Sequence, residues 1–184
     1  MTKIMIASDI HGSAYWCEKL LSFFESSGAE QLVLVGDLLY HGPRNPLPLG
    51  YDTVAVTKML NALKDKIVAV RGNCDSEVDQ MVLSFPMMDD YKTLPLGDRT
   101  LYLTHGHLHE QDKPLTPLQA GDLQVNGHFH VPTFKRLEDG VLYANCGSVG
   151  LPKDGSPHSC MLLSEENIEW IDLSTGNPFH KQKL

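Results

Sequence analysis

Residues 3–11 read Lys-Ile-Met-Ile-Ala-Ser-Asp-Ile-His, a short apolar run that ends in an aspartate and a histidine. The apolar part predicts a buried β-strand. Two side chains two residues apart at the end of a strand can point the same way. Asp9 and His11 are therefore candidate metal ligands, and a simple capping role for the aspartate is the alternative.

Four further polar blocks follow predicted strands in the same manner: Gly36-Asp37, Gly72-Asn73, His105-Gly106-His107 and Gly127-His128-Phe129-His130. A glycine beside a carboxylate lets the backbone approach closely, as a bridging ligand needs. Considered singly, Asp37 can cap the next segment and Asn73 can form a turn. The histidines favour function, because five of the nine in the chain fall between residues 105 and 130.

The donor atoms of these blocks are nitrogen and oxygen, without a thiolate. Such donors favour Mn²⁺, Fe, Co²⁺ or Zn²⁺ in octahedral-like sites over a structural cysteine–zinc site. If one aspartate bridges, two ions about 3.5–4 Å apart would share a hydroxide. The ligand inventory is therefore that of a two-metal hydrolase.

Length and composition indicate one globular domain over residues 1–184. No apolar run approaches the roughly 20 residues that cross a bilayer, and the N-terminus lacks the features of an export signal. The four cysteines are scattered, with no CxxC pair. We therefore expect a reduced, cytoplasmic protein without a membrane partner.

The formal net charge is −8, which disfavours a broad nucleic-acid-binding face. An anionic substrate must then be attracted locally, and bound divalent cations would reverse the field at the site. The nearest basic candidates are Arg44, Arg71 and Lys153.

Strand-like and helix-like stretches alternate at first and then give way to strands. Ser13 can cap a helix that ends near Ser27 with Gly28 as its stop, and a second helix is expected at 52–64. Predicted strands lie at 3–7, 32–35, 67–70, 92–96, 100–103, 123–125, 133–137, 141–144, 160–163 and 168–173, with hairpin turns at 96–98 and 138–140. A βαβαβ half followed by a strand-rich half predicts two sheets packed face to face with helices outside.

The order of the blocks resembles the calcineurin-like metallophosphoesterase family: D-x-H, G-D, G-N, H and G-H-x-H, over roughly residues 4 to 150. The stretches 37–45 and 71–79 resemble its small bacterial YfcE-type phosphodiesterase branch. The resemblance implies a single-domain, four-layer α/β/β/α sandwich with the ligands on loops at one end of the sheets.

The resemblance also implies two divalent ions per chain, with Mn²⁺ expected first and Fe, Co, Zn or Ni as alternatives. The implied ligands are Asp9, His11 and His130 for the first ion, Asn73, His105 and His128 for the second, and Asp37 as the bridge. The implied activity is hydrolysis of a small phosphodiester by a bridging hydroxide. A phosphomonoesterase or nucleotide hydrolase of the same fold is one alternative. A non-catalytic scaffold, like the retromer subunit that resembles this family, is another, but it would predict missing histidines.

Three more residues are candidates for the catalytic site. Cys74 stands where many family members carry a histidine thought to protonate the leaving group, and a thiol there is a poor acid. Arg44 is expected to pair with a phosphate oxygen, with a surface arginine as the alternative. His107 can position the substrate or hydrogen-bond a ligand. A further departure is Cys146, where relatives usually have proline in an N-P-G-S motif.

The remaining expectations concern the periphery of the site. His158 and His180 lie in loop-like polar surroundings and are expected to be structural, and His109 is expected to be exposed. Specificity is expected to depend on the pocket around Arg44 and the segment 107–118. The apolar segment 81–85 can pack in the core or at a dimer face, so a homo-oligomer is possible.

Overall fold

The computed structural model describes residues 3–108 and 118–184. The prediction for His109, and most of the segment 107–118, therefore lies outside the described residues. The described elements, in chain order, are β1 Ile4–Ala7, α1 Ala14–Ser27, β2 Gln31–Leu34, α2 Thr53–Ala62, a 3₁₀ turn at Lys64–Lys66, β3 Ile67–Ala69, α3 Glu77–Val82, β4 Tyr91–Leu96, β5 Arg99–Thr104, β6 Leu123–Asn126, β7 Thr133–Arg136, β8 Leu142–Asn145, β9 Ser159–Leu163, β10 Asn167–Asp172 and β11 Asn177–Lys183.

The helices begin and end where local chemistry dictates. The Ser13 side chain accepts a backbone N–H of the first turn of α1, and Gly28 ends that helix in the left-handed conformation at φ 74°. The Asp52 carboxylate caps α2 in the same way. Helix α2 ends at Ala62, two residues before the predicted end, and a 3₁₀ turn follows. No helix in the described part of the chain is long and apolar enough to cross a membrane.

Two sheets carry the fold. The first has the strand order β11-β10-β9-β1-β2-β3, and the second has the order β4-β5-β6-β8-β7. Strands β1, β2 and β3 are parallel, with Ile6 opposite Val33, and β5, β6 and β8 are also parallel. Both predicted hairpins are present as the antiparallel pairs β4–β5 and β7–β8.

Strand β1 is buried on both faces, which explains its unbroken apolar sequence. Met5 and Ala7 pack in a core with residues of the helices, whereas Ile4 and Ile6 pack between the two sheets. Trp170 is fully buried between the sheets and donates its indole N–H to a backbone carbonyl at 2.8 Å. The predicted mixed α/β fold, two sheets with helices outside, is confirmed.

Strand β11 was not predicted from the sequence. It pairs with β10 at the edge of the first sheet, and nearly all of its side chains are exposed. An exposed edge strand needs no apolar alternation, so no hydrophobic period marks it. The placement of His180 in a loop was therefore wrong, because this residue lies in β11 and its ring contacts Trp170.

The parallel strands bring the polar blocks to one edge of the molecule. The block after β1 lies beside the block after β2, since His11 N donates to the Asp37 carbonyl at 3.0 Å. The blocks after β5 and β6 are joined likewise, by Gly127 N and the His105 carbonyl at 3.0 Å. The carboxyl ends of parallel strands thus form the floor of a candidate site, as is common in α/β proteins.

Candidate metal centre

The backbone at the candidate site is strained. Five of the predicted ligands have left-handed φ values: Asp9 56°, His11 50°, Asp37 55°, His128 65° and His130 62°. Among the described residues other than glycine, only Asp154 shares this conformation. The left-handed region costs a non-glycine residue roughly 1–2 kcal/mol. Strain that is concentrated in one cluster indicates a functional constraint.

Two glycines allow the loops after β2 and β3 to touch. A Cβ atom on Gly36 would lie 2.5 Å from the Gly72 nitrogen, and one on Gly72 would lie 2.1 Å from Asp37 Oδ1. Any side chain at either position would push the loops apart. The expected close approach at Gly36 is therefore present, and it places Asp37 beside the loop that carries Asn73.

The histidine rings are oriented by backbone carbonyls. Nδ1 of His11 lies 2.7 Å from the Tyr40 carbonyl oxygen, and Nδ1 of His105 lies 2.7 Å from that of Val35. The Nδ1 atom of His130 bonds a third carbonyl. Because a carbonyl can only accept, Nδ1 carries a proton, and each ring, when neutral, presents its Nε2 lone pair to the site.

The first predicted ligand group is brought together. Asp9 Oδ1 lies 3.1 Å from His130 Nε2 and 3.5 Å from His11 Nε2, and the two Nε2 atoms are 3.5 Å apart. Asp9 Oδ2 accepts a backbone N–H from His128 at 2.9 Å, whereas Oδ1 is buried without a hydrogen-bond partner. An orphaned, fully buried carboxylate oxygen is costly. A cation at this point would satisfy it, so the donor set fits a metal ion.

The second predicted group lies next to the first. Asp37 Oδ2 is 3.4 Å from His105 Nε2 and 3.7 Å from His11 Nε2, so this carboxylate stands between the two groups. Asn73 Oδ1 is 3.0 Å from His105 Nε2, and the His128 ring centroid is 5.1 Å from that of His105. The structure thus brings all seven predicted donors into one cluster.

The ionisable groups of the cluster stabilise one another's charges. Burial would raise the pKa of Asp9, but the adjacent imidazole rings of His11 and His130 hold that pKa well below its ordinary range. Burial would likewise lower the pKa of His105, but its interactions with Asp37 and Asp9 raise it to about 9. Without metal, His105 is therefore a cation that compensates the two carboxylates.

His128 behaves in the opposite way. Burial and the neighbouring charge of His105 lower the pKa of His128 to about 4, so its ring is neutral at physiological pH. The same two causes lower the pKa of His107. The His107 ring lies 5.4 Å from that of His105 and 6.3 Å from that of His128, next to the candidate ligands.

Asp75 joins the two loops that carry Asp37 and Asn73. Its buried carboxylate accepts backbone N–H groups from Asp37 at 2.8 Å, Leu38 at 2.9 Å and Gly72 at 2.7 Å. Burial and the charge of Asp37 raise the pKa of Asp75 to about 6. Sequence reasoning assigned no role to this residue, although it lies within the G-N-C-D motif.

A cleft of about 350 Å³ opens over the cluster. Its lining includes Asp37, Asn73 and Cys74 together with two cationic side chains, Arg44 and Lys153. The sequence named Lys153, together with Arg44 and Arg71, as a basic candidate for attracting an anionic substrate, and the cleft lining includes Lys153 and Arg44 but not Arg71. Its backbone N–H donates to the carbonyl of the candidate ligand His130 at 3.2 Å.

Residues 2–167 match the family model of the calcineurin-like phosphoesterase superfamily domain. The chain belongs to this superfamily. It is 45% identical to phosphodiesterase YfcE of Escherichia coli K12 over 174 residues, which cover 95% of this chain and 94% of that protein. The solved structure of YfcE, a phosphoesterase from E. coli, superposes with a TM-score of 0.93 at 42% identity and covers 98% of both chains.

The fold is also found in a more distant solved structure. Vps29 of Entamoeba histolytica superposes with a TM-score of 0.63 at 17% identity, and the match covers 100% of this chain and 99% of that one. At this identity the likeness concerns the fold only. A shared fold does not by itself give a shared function, which depends on the side chains at the site.

Proposed function

We propose that this protein is a metal-dependent phosphodiesterase whose centre holds two divalent ions. The observation that carries the proposal is the convergence of seven nitrogen and oxygen donors in one cluster beneath a cleft. Three of the histidines present Nε2 to the site because their Nδ1 atoms bond backbone carbonyls. The 45% identity to a phosphodiesterase over nearly the whole chain supports the same reaction class.

The proposed first site consists of Asp9, His11 and His130, and the orphaned Asp9 Oδ1 supports it. The proposed second site consists of Asn73, His105 and His128. Asp37 would bridge, since its Oδ2 faces His11 and His105 together. We propose Mn²⁺ as the working ion, because nitrogen and oxygen donors accept it readily; Fe, Co²⁺, Zn²⁺ and Ni²⁺ are alternatives.

Bound ions would supply positive charge to the phosphoryl oxygens and lower the pKa of bound water to near neutrality. The chain itself must then neutralise and orient the substrate. Arg44 and Lys153 lie on the wall of the cleft that also contains Asp37. We propose that both cations pair with non-bridging phosphate oxygens, where a guanidinium fork is especially suited.

The departure of the leaving group receives little help from this chain. Cys74 lines the cleft at the position that is histidine in many family members. Burial and the charge of Asp37 raise the pKa of the Cys74 thiol to about 12, so it is a weak acid. We therefore expect efficient cleavage of diesters with acidic leaving groups and slow cleavage of those with basic ones.

The test compares the hydrolysis of bis-p-nitrophenyl phosphate with that of p-nitrophenyl phosphate. Metal-stripped protein is assayed without metal and after addition of Mn²⁺. We expect metal-dependent turnover that is faster for the diester. Turnover of the monoester alone would reassign the protein as a phosphatase. Absence of both activities in protein that binds Mn²⁺ would favour the scaffold alternative.

A further inference from the structure

Cys74 differs from the other cysteines of the chain. Cys17, Cys146 and Cys160 are buried free thiols, whereas Cys74 is only half-buried and lines the cleft over the metal centre. Its Sγ lies 3.3 Å from Nδ2 of the candidate ligand Asn73. This thiol is therefore accessible to any cation that enters the centre.

Cys74 belongs to a cluster that can hold a cation by itself. Sγ of Cys74, a ring nitrogen of His11 and a carboxylate oxygen of Asp37 all lie within 4.8 Å of one another. Metal bonds of about 2.3 Å to sulfur and about 2.0 Å to nitrogen place tetrahedral ligand atoms about 3.5 Å apart. A small rotation of the Cys74 side chain would bring Sγ to this distance from the other two ligand atoms. The backbone need not move, since the Cys74 N–H already bonds Asp37 Oδ1 at 2.8 Å.

A second observation favours a cation at the same end of the centre. Asp9 Oδ1 is buried without a hydrogen-bond partner and lies 3.5 Å from Nε2 of His11, which the cluster shares. His11 thus belongs both to the group that contains this oxygen and to the group that contains the thiol.

We propose that Cys74 gives the centre a second binding mode, in which a soft cation such as Zn²⁺ or Cd²⁺ is held by Cys74, His11 and Asp37. Thiolates select soft cations, whereas Mn²⁺ prefers oxygen and nitrogen donors. The thiol proton passes to solvent as the metal–sulfur bond forms. This inference rests on the proposed function, because His11 and Asp37 are also ligands of the working centre.

The consequence is metal selection by the protein itself. In the soft mode, His11 and Asp37 are drawn toward sulfur and away from the arrangement that serves two hard ions. A Zn²⁺ ion bound in this mode competes with Mn²⁺ and leaves the protein less active than it is with two ions at the working sites. Hard ions leave the thiol protonated and uncoordinated.

Titration of the metal-stripped full-length protein with Co²⁺ tests the proposal spectroscopically. A thiolate bound to Co²⁺ produces a charge-transfer band in the near ultraviolet, separate from the visible d–d bands of the ion. We expect this band in the wild type and in the control Cys17→Ala. It should be absent from Cys74→Ser and Cys74→Ala.

Competition between metals provides the second readout. In Cys74→Ser, we expect the affinity for Zn²⁺ to fall by at least about tenfold, while that for Mn²⁺ changes by less than about threefold. Visible Co²⁺ bands without a near-ultraviolet thiolate band would overturn the soft mode and leave the phosphodiesterase assignment intact. Failure to bind any Co²⁺ would overturn both.

Discussion

Replacement of Asp75 should test how the centre is assembled, because this side chain joins two ligand loops without belonging to the proposed ligands. Asp75→Asn keeps the size of the side chain, but its amide NH₂ must face one of three backbone N–H donors. Asp75→Ala leaves all three donors without their acceptor. Both changes act on the loops that place Asp37 and Asn73.

The magnitude follows from those three bonds, of 2.7 to 2.9 Å to a carboxylate that is 3% exposed. A buried donor that loses its acceptor costs about 1–3 kcal/mol. Water can enter the space left by alanine and accept some of these bonds, so the total loss is smaller than the sum over three donors. We expect the free energy of unfolding to fall by about 3–5 kcal/mol in Asp75→Ala and by about 2–3 kcal/mol in Asp75→Asn.

Urea unfolding of the metal-free proteins measures this loss. Metal is left out because an ion that binds only the folded state would itself raise the free energy of unfolding. A pH of about 8 keeps the Asp75 carboxylate ionised, because its pKa is about 6. Mn²⁺ affinity, from calorimetry, should weaken by about tenfold or more in both variants. The matched control is Asp98→Asn, at an exposed turn residue. Unchanged stability and Mn²⁺ affinity in Asp75→Asn would refute the reasoning.

Four further outcomes are expected. Asp37→Ala should abolish Mn²⁺-dependent diester hydrolysis, because one change removes a donor shared by both proposed sites. Cys74→His should accelerate diesters with basic leaving groups more than activated aryl diesters, in a leaving-group series, since imidazole is the better acid. Arg44→Ala and Lys153→Ala should each raise KM for a diester by about tenfold in steady-state assays, through loss of a charged contact. Because the pKa of His105 is raised to about 9, Mn²⁺ binding near pH 7 should release about one proton, measured by calorimetry in buffers of different ionisation enthalpy.

For the first three of these outcomes, a specific result would contradict the reasoning. Retained activity with tight metal binding in Asp37→Ala would exclude a bridging role. An unchanged leaving-group dependence in Cys74→His would contradict the account of slow protonation. If KM and kcat of Arg44→Ala both equal those of the wild type, the arginine does not contact phosphate.

The pH dependence of stability tests His105 separately. Its pKa in the folded protein lies above the ordinary value of 6.5. The stability that its charge contributes is therefore complete below about pH 6.5 and is lost as the pH rises towards about 9. The free energy of unfolding of the metal-free protein should fall over that interval, and His105→Asn should reduce this pH dependence. A flat stability profile in the wild type would show that His105 is not charged in the absence of metal.

Local sequence indicated the candidate ligands because each one lies within four residues of the end of a strand. Asp9 and His11 follow β1, and Asp37 follows β2 with a single glycine at its side. A strand that is buried on both faces has an unmistakable composition. The parallel arrangement then brings the ends of neighbouring strands to one edge. The strand positions and the order of the motifs therefore indicated both the fold and the candidate ligand set.

Other features depended on contacts between distant segments. Asp75 bonds Asp37 N and Leu38 N across more than 35 residues of sequence, with no local pattern that reveals the partners. The carbonyl groups that orient the histidines are equally remote in sequence, as in the pair His105 and Val35. Backbone groups are chemically the same at every position, so their use as partners cannot be inferred from residue types.

The sequence by itself determined which donors this protein offers and the strand ends at which they stand, since apolar patterning and residue chemistry are local properties. Only the tertiary structure decided which donor atoms face one another, that Lys153 shares the cleft with Arg44, and that Cys74 reaches His11 and Asp37. These facts depend on how loops from separate strands pack. The packing results from the whole fold, and no single segment encodes it.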